Sequence, residues 1–454
     1  MDAMPDPSLA APRPPTRAEA FHFWLKLGFI SFGGPAGQIA IMHRELVDER
    51  RWISERRFLH ALNYCMLLPG PEATQLATYL GWLMHRTRGG IVAGTLFVLP
   101  SLVILSALAW IYLRWGHVPA IAGALWGVKP VVVAIVLHAA WRIGRRTLRH
   151  PALWVIAVAA FVALQAFDVP FPAIVVGAAL AGIALARVAP RAFSGSVGRA
   201  SVGGAHAPAV VDDDTPTPPH ARWSTGRFVA VVAVFGAIWL AVFGALVAAF
   251  GAKGTLAAMG WFFTKAALVT FGGAYAVLPY IVQNAVDHQG WLTASQMIDG
   301  LALGETTPGP LIMVVAFVGF VGGWTHAPFG ADALAAAGLA GASVATFFTF
   351  LPSFLFILAG GPLIEATHGD VRVTAPLAGI TAAVVGVVVS LAVFFGVHVF
   401  WPGGLVPGDP FSGFDAVGVA IFAAALLALF RLGAGVVALV LAGGLAGLVR
   451  IALG

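Results

Sequence analysis

The 454-residue sequence has few charges and almost no cysteine. Only 10% of its residues are charged, against about 25% in ordinary soluble domains, whereas 59% are hydrophobic. A chain with so few charges cannot cover the surface of a water-soluble protein, so the composition excludes an ordinary globular enzyme. The single cysteine, Cys65, excludes an intramolecular disulfide. The sequence therefore predicts a membrane protein.

Uncharged apolar runs long enough to cross about 30 Å of hydrocarbon recur along the chain. The continuous runs are 91–113, 228–252, 333–359, 374–397 and 432–449, and shorter or interrupted ones lie between them. A membrane β-barrel would show alternating segments of about ten residues instead. The sequence predicts an all-α polytopic protein with about 10–13 membrane segments. Its 54 glycines and 29 prolines predict that some helices are broken or re-entrant.

The chain contains an internal repeat. Residues 23–71 align without a gap on residues 262–310, and the match resumes where 99–101 align with 351–353. The first-half residues conserved between the two copies are Phe23, Lys26, Phe32, Gly33, Gly34, Asp48, Trp52, Pro69, Gly70 and Pro71. The sequence therefore consists of two homologous halves.

The basic residues predict that the two halves are inverted. The loop 43–57 holds five arginines, whereas the equivalent loop 282–296 holds no Lys or Arg. Because Lys and Arg are retained on the cytoplasmic side, matched loops of such different charge are predicted on opposite sides of the membrane. Inverted repeats are typical of secondary transporters, with the substrate site near the bilayer midplane.

The domain organisation follows from the repeat and from composition. We predict a disordered tail over 1–20, a first repeat over 21–187, a flexible cytoplasmic linker rich in Pro, Gly and polar residues over 188–227, a connecting transmembrane helix over 228–252 and an inverted second repeat over 253–454. The net charge of +6 comes from arginines in short loops, where they set orientation, so nucleic acid is not a predicted partner.

Each half opens with a lysine inside an apolar segment, followed by a glycine pair. Lys26 precedes Gly33 and Gly34, and Lys265 precedes Gly272 and Gly273. A glycine pair permits a helix break or close backbone approach, so each lysine is a candidate anion ligand near a break. The alternative is a lysine that snorkels to the interface beside packing glycines.

Each half also contains a Pro-Gly-Pro motif. The motifs are Pro69, Gly70 and Pro71 in the first half and Pro308, Gly309 and Pro310 in the second. A second proline can begin a new helix, and the N-terminus of a half-helix at membrane depth suits an anion. Thr74, Thr306 and Thr307 could add hydroxyl donors. The alternative is a plain kink without ligand contact.

Two carboxylates accompany these motifs, Glu72 and Glu305. A carboxylate embedded in the membrane could couple protons or gate the pathway, and a capping or ion-pairing role is the alternative. Lys129, His138 and Asn63 are weaker candidates for a secondary pathway. No hydrolase or phosphate-cradling motif is present, so the sequence predicts neither an enzyme nor a cofactor. It predicts a secondary transporter of a small anion.

Four segments resemble the chromate ion transporter family in its long form with two homologous halves. They are FISFGGPAGQIA at 29–40, LLPGPEATQLATYLGW at 67–82, TFGGAYAVLPYI at 270–281 and GETTPGPLIMVVAFVGF at 304–320. The resemblance implies proton-motive-force-driven export of chromate across the bacterial inner membrane and chromate resistance. A sulfate or other oxyanion carrier, a membrane-embedded enzyme and association of two copies as a homodimer remain alternatives at this point.

Overall fold

The computed structural model describes residues 12–32, 34–188, 208–216, 218–366, 374–404, 406, 409 and 411–453. The described chain forms sixteen α-helices joined mostly by short turns. They are α1 (Arg17–Ile30), α2 (Gly34–His43), α3 (Glu55–Cys65), α4 (Glu72–Trp115), α5 (Pro119–Thr147), α6 (Pro151–Phe167), α7 (Phe171–Val188), α8 (Thr225–Phe250), α9 (Thr255–Leu268), α10 (Ala274–Val282), α11 (Ala294–Thr306), α12 (Val314–His326), α13 (Leu334–Ala366), α14 (Thr374–Phe400), α15 (Ala416–Leu427) and α16 (Val436–Ala452). Five of the helices are long and apolar enough to cross a membrane, so the prediction of an all-α polytopic membrane protein is confirmed.

The first helix starts inside the predicted disordered tail. Thr16 and Glu19 form a reciprocal capping box, which satisfies backbone donors of the first turn and starts α1 at Arg17. Residues 1–11 of the tail lie outside the described residues. The described tail residues next to Thr16 therefore lead directly into a capped helix.

Both predicted glycine breaks separate two helices. α1 ends at Ile30 and α2 begins at Gly34, and in the second half α9 ends at Leu268 and α10 begins at Ala274. After its break the first-half chain returns along α1, because Phe23 packs on Trp52 with ring centroids 5.2 Å apart. The chain therefore turns back at the break, as in a re-entrant segment.

α4 is two helical arms that fold back on each other. Non-helical backbone at His85 and Arg86 reverses the chain, and a Cβ on Gly81 would touch Ala93 of the opposite arm. The equivalent second-half segments are the separate helices α12 and α13. The 13-residue α12 measures about 20 Å, too short for a bilayer core of about 30 Å. Each half therefore contains a half-helix followed by a long helix.

The long arm of α4 and its repeat equivalent α13 run antiparallel. A Cβ on Gly90 would contact Leu358, and one on Gly94 would contact Phe354, so residue numbers rise along one helix as they fall along the other. Because residues 99–101 are equivalent to 351–353, the two-fold axis that exchanges the repeats is perpendicular to these helices. The repeats are therefore inverted, as the arginine distribution predicts.

The two repeats exchange their terminal helices. α5 packs against α15 and α16 of the second repeat, and its equivalent α14 packs against α6 and α7 of the first. Glycines allow the closest approach: a Cβ on Gly447 would lie 1.9 Å from the Gly123 carbonyl oxygen, and one on Gly379 would lie 2.2 Å from the Ala178 carbonyl oxygen. The halves therefore interlock and do not lie side by side.

Part of the predicted flexible linker makes defined contacts with the first repeat. The Val211 amide donates to the Trp52 carbonyl at 3.1 Å, and the Ser54 hydroxyl donates to Asp213 at 2.6 Å. His220 packs edge-on against Trp82, whose carbonyl lies 3.0 Å from its Nε2. Residues 208–216 and 218–221 are therefore docked, because their backbone and side-chain polar groups are paired with the first repeat. Residues 189–207 lie outside the described residues.

Candidate functional site

The Pro-Gly-Pro motif of each repeat is hydrogen-bonded to the glycine break of the other. The Gly70 amide donates to the Thr270 carbonyl at 2.7 Å, and the Gly309 amide donates to the Ser31 carbonyl at 2.8 Å. The two bonds are repeat equivalents, because Ser31 aligns with Thr270 and Gly70 with Gly309. We call the segments 69–71 and 308–310 the crossed turns. They join the broken ends of four helices at the centre of the protein.

Only glycine fits the middle of each crossed turn. Gly70 has a φ of +127° and Gly309 a φ of +107°, values that side-chain-bearing residues rarely adopt. A Cβ on Gly70 would lie 2.4 Å from Ser353 Oγ, and one on Gly309 would lie 2.7 Å from Ser101 Cβ. Each turn is therefore packed against a serine of the opposite repeat's long helix.

A helical segment begins directly after each crossed turn, as the sequence predicts. α4 starts at Glu72 after Pro71, and a short 3₁₀ turn, Leu311–Met313, leads from Pro310 into α12. Neither start has a side-chain cap, so first-turn amides face the turn region. The fully buried Thr74 hydroxyl, in the first turn of α4, has no hydrogen-bond partner in the described part of the chain.

The other two predicted threonines are already paired. The Thr306 hydroxyl donates to backbone carbonyls of its own helix, and the Thr307 hydroxyl donates to the Gly304 carbonyl at 3.1 Å. Gly272 and Gly273 lie at the second break with positive φ, and Gly34 does so at the first. Gly33 lies outside the described residues.

Lys26 is bound within its own repeat. Its ammonium lies 3.2 Å from Glu45, which also accepts from Arg50 at 3.2 Å, and 56% of the lysine side chain is exposed. Burial of Glu45 alone would raise its pKa, but hydrogen bonds and charge from Lys26 and Arg50 outweigh burial and lower the pKa below its ordinary value. Glu45 is therefore an anionic partner for the lysine.

Lys265 lines an open cavity of about 570 Å³ together with Lys253, Asn284 and Gln289. Its ammonium lies 5.8 Å from the ring centre of Trp261. A second open cavity, of about 640 Å³, is lined by arginines near the start of α1 and the reversal of α4. Lys26 and Lys265 share no neighbour among these described contacts. The structure does not bring the two ammonium groups together. Lys26 lies beside Glu45 of its own repeat, and Lys265 lines a cavity with Asn284 and Gln289 of the second repeat.

The two predicted carboxylates lie next to the crossed turns in different settings. Glu72 is half-buried and is the first residue of α4. Glu305 is buried near the end of α11 and accepts a short hydrogen bond from the Tyr275 hydroxyl of α10. Each turn therefore has a neighbouring carboxylate, although the two are not repeat equivalents.

The secondary candidates lie apart from the crossed turns. Lys129 donates to Ser295 at 2.6 Å and lies 3.5 Å from the buried Asp299, which also accepts from Tyr112 at 3.0 Å. His138 packs between Trp141 and Phe430. Asn63 is exposed on α3.

The comparisons with known proteins identify the family. Residues 18–183 and 257–448, most of the chain, match the family model described as chromate transporter. This chain belongs to the chromate transporter family. The family match confirms the resemblance found in the sequence motifs.

Curated proteins of the chromate transporter family cover nearly the same length. A chromate transport protein of Pseudomonas aeruginosa is 35% identical over 96% of this chain and 93% of its own. A chromate transport protein of Cupriavidus metallidurans is 29% identical over 82% of this chain and 80% of its own, and a probable one of Synechococcus elongatus is 27% identical over 82% and 83%. These relatives are named as transport proteins, which favours a transporter. No solved structure matches this chain.

One buried ion pair of this protein was not predicted from the sequence. Arg57 of α3 lies 3.3 Å from Glu365 of α13, and Glu365 also accepts a short hydrogen bond from Tyr79. Arg57 also donates to the Thr215 carbonyl of the docked linker. This cluster joins both repeats and the linker. The available signal was Glu365 itself, a carboxylate directly after a long apolar run.

Sequence reasoning also gave little weight to the polar residues around the crossed turns. Gln38 donates to the Gly309 carbonyl at 2.5 Å, and Gln75 donates to the Pro69 carbonyl at 2.8 Å. Ser101 and Ser353 are visible in the alignment as matched residues after a proline in each long helix. Their position against the turns depends on packing between the repeats, which no local pattern records.

Proposed function

We propose that this protein is a secondary transporter that exports chromate across the bacterial inner membrane, driven by the proton motive force, and thereby confers chromate resistance. The observation that carries the proposal is the exchange of hydrogen bonds between the crossed turns and the opposite breaks. In a chain of inverted repeats, two equivalent half-structures that meet at the centre can swap conformations and so open the site to either side.

The charge distribution supports export. The arginines of 43–57 and 142–149 belong to the first repeat, at the end of the molecule where the linker docks, and the positive-inside rule predicts that this end is cytoplasmic. Each negative charge that leaves a negative-inside cell gains about 2.3 kcal/mol per 100 mV. An oxyanion therefore moves outward with the membrane potential.

Basic residues at the two cavities would attract the anion. Arg17, Arg86 and Arg88 line the cavity at the start of α1, and Lys253 and Lys265 line the cavity beside α9. Positive charge in a cleft raises the local concentration of an anion and its association rate. We assign this recruiting role to Lys265 in its cavity and to Lys26, which lines neither cavity but is 56% exposed beside Glu45. The helix starts at the crossed turns provide the proposed substrate site.

Glu72 and Glu305 are the proposed proton-coupling or gating residues. Each is a carboxylate beside a crossed turn, Glu72 half-buried and Glu305 buried. The proposed swap of conformations between the repeats would alter the exposure of both. A carboxyl group that is neutral in one state and ionised in the other moves a proton with the conformational cycle. Glu72→Gln and Glu305→Gln should each flatten the pH dependence of flux. The control Glu55→Gln, at an exposed residue of α3, should leave it unchanged.

The deciding experiment measures radiolabelled chromate in inside-out membrane vesicles with imposed pH and voltage gradients. Accumulation that needs the proton gradient and rises with an inside-positive potential would support proton-driven export. Accumulation that does not depend on either gradient would contradict proton-driven export. Labelled sulfate in the same vesicles distinguishes a chromate carrier from a general oxyanion carrier, because both ions are tetrahedral dianions.

A further inference from the structure

Buried polar atoms without partners surround the crossed turns. Gln38, Gln75, Ser101 and Ser353 are each at most 2% exposed, yet one side-chain oxygen of each has no hydrogen-bond partner among the described residues. An unpaired buried polar atom is costly, so such atoms are expected to bind a ligand or water. Four of them at two short turns mark a binding position.

The first crossed turn carries one serine and one glutamine. A Cβ built on Gly70 would lie 2.4 Å from Ser353 Oγ and 2.7 Å from Gln75 Nε2, so both side chains point at the same glycine. The Gln75 Nε2 donates to the Pro69 carbonyl at 2.8 Å. The unpaired atoms at this turn are therefore the serine hydroxyl and the glutamine Oε1, beside the unpaired Thr74 hydroxyl in the first turn of α4.

The second crossed turn also lies against one serine and one glutamine. A Cβ on Gly309 would lie 3.0 Å from Ser101 Oγ, and the Gln38 Nε2 donates to the Gly309 carbonyl at 2.5 Å. Ser101 and Ser353 are equivalent in the repeat, but Gln38 and Gln75 are not. The same pair of groups at both turns is therefore not explained by the duplication alone.

The carbonyl bonds fix which atom of each glutamine is free. Turning either carboxamide over would place its oxygen against a carbonyl oxygen, so Oε1 remains the unpaired atom. Each turn thus offers a hydroxyl, which can donate to an oxyanion, and a carboxamide oxygen, which can only accept. A fully ionised tetrahedral dianion has only acceptors and would be repelled by Oε1. An oxyanion that keeps one proton satisfies both groups.

We propose that the crossed turns bind the monoprotonated oxyanion, hydrogen chromate, with Ser101 or Ser353 donating to an ionised oxygen and Gln38 or Gln75 accepting from the protonated one. This inference rests on the proposed function and names the form of its substrate. Hydrogen chromate is a far weaker acid than hydrogen sulfate or hydrogen selenate. Near neutral pH, therefore, chromate presents the required O–H group and sulfate and selenate do not.

The first test measures binding of radiolabelled chromate to the purified full-length protein in nanodiscs, separately from flux. Ser101→Ala and Ser353→Ala should each weaken binding by about tenfold or more, because each removes a hydrogen bond to a charged ligand. Ser106→Ala is the matched control, since Ser106 is a buried serine of α4 that also lacks a partner. Elution volume in size-exclusion chromatography shows that each variant is folded.

The second test uses pH and competing ions on the wild-type protein. Apparent affinity for total chromate should fall as pH rises and the hydrogen chromate fraction falls, and an excess of selenate at neutral pH should not compete. Equal competition by selenate, or the same affinity across the pH range, would overturn the inference. Serine variants with unchanged affinity would also overturn it, because they would show that the hydroxyls hold ordered water only.

Binding and flux together separate this inference from the proposed function. Serine-dependent, pH-dependent chromate binding without gradient-driven flux would support the site and contradict the proposed export. Gradient-driven chromate flux with normal affinity in both serine variants would support export and contradict the site.

Discussion

The amide of Gly70 in the first repeat and the carbonyl of Thr270 in the second are hydrogen-bonded at 2.7 Å. Gly70 begins the turn into α4, and Thr270 belongs to the break between α9 and α10. Through this bond and its equivalent from the Gly309 amide to the Ser31 carbonyl, each half completes the backbone hydrogen bonds of the other half's break. The central site therefore depends on the relation between the repeats.

Replacing the turn glycines should abolish transport. In Gly70→Ala the new Cβ would overlap Ser353 Oγ at 2.4 Å, and the positive φ would add strain of about 1–3 kcal/mol. Gly309→Ala should act in the same way. Gly236→Ala on α8 is the control, because nothing lies within 4 Å of its added Cβ. Vesicle flux and the melting temperature in detergent are the measurements, and near-normal flux in either turn variant would contradict the assignment.

Lys265→Ala should slow transport in a way that depends on salt. A recruiting charge acts at a distance, so the variant should lose about tenfold in the flux rate at low chromate and low ionic strength, and less at high ionic strength. Lys265→Arg should keep most of the rate. A loss of the same size at all salt concentrations would point instead to direct ligation by the ammonium.

Breaking the buried ion pair should destabilise the protein. Arg57→Ala leaves the Glu365 carboxylate buried without its cation, at a cost of about 3–5 kcal/mol. The double variant Arg57→Met with Glu365→Met removes both charges and should be more stable than Arg57→Ala. Thermal unfolding in detergent measures both. A double-mutant cycle uses Arg57→Met, Glu365→Met and the double variant. If the two single losses of stability add up to the loss in the double variant, the two groups do not interact.

The glycine contact between α5 and α16 should tolerate no side chain. Gly447→Ala places a Cβ 1.9 Å from the Gly123 carbonyl oxygen, and the required separation of the helices should cost about 1–3 kcal/mol. The nearby Gly444→Ala is a sharp control, since its Cβ would have ordinary contacts from 3.6 Å. Equal melting temperatures for the two variants would contradict this helix packing.

Local patterns predicted the local features of the fold. Glycine pairs and Pro-Gly-Pro motifs located the breaks and the helix starts, because these residues limit backbone geometry wherever they occur. The contrast in arginine content between equivalent loops predicted the inversion, which the antiparallel α4 and α13 confirm. The reversal at His85 and Arg86 carries no such signal, since neither residue is glycine or proline.

Pairings between distant residues could not be predicted. The sequence identified Lys129 as a candidate polar residue, but its 3.5 Å contact with Asp299 depends on how α5 packs against α11. Lys26 and Lys265 were predicted as anion ligands near the breaks, but no sequence signal indicates the ion pair of Lys26 with Glu45. A charge in an apolar run shows that a partner is needed, but only tertiary structure shows which partner it has.

The exchange of terminal helices sets the order in which the molecule can be built. While the second repeat is still being synthesised, the glycine face of α5 has no cover, because its partner α16 is the last described helix to leave the ribosome. The first half therefore lies in the bilayer without the helices that pack against α5 in the finished protein. Lipid or an insertion chaperone has to occupy that face until α16 is inserted and packs against α5.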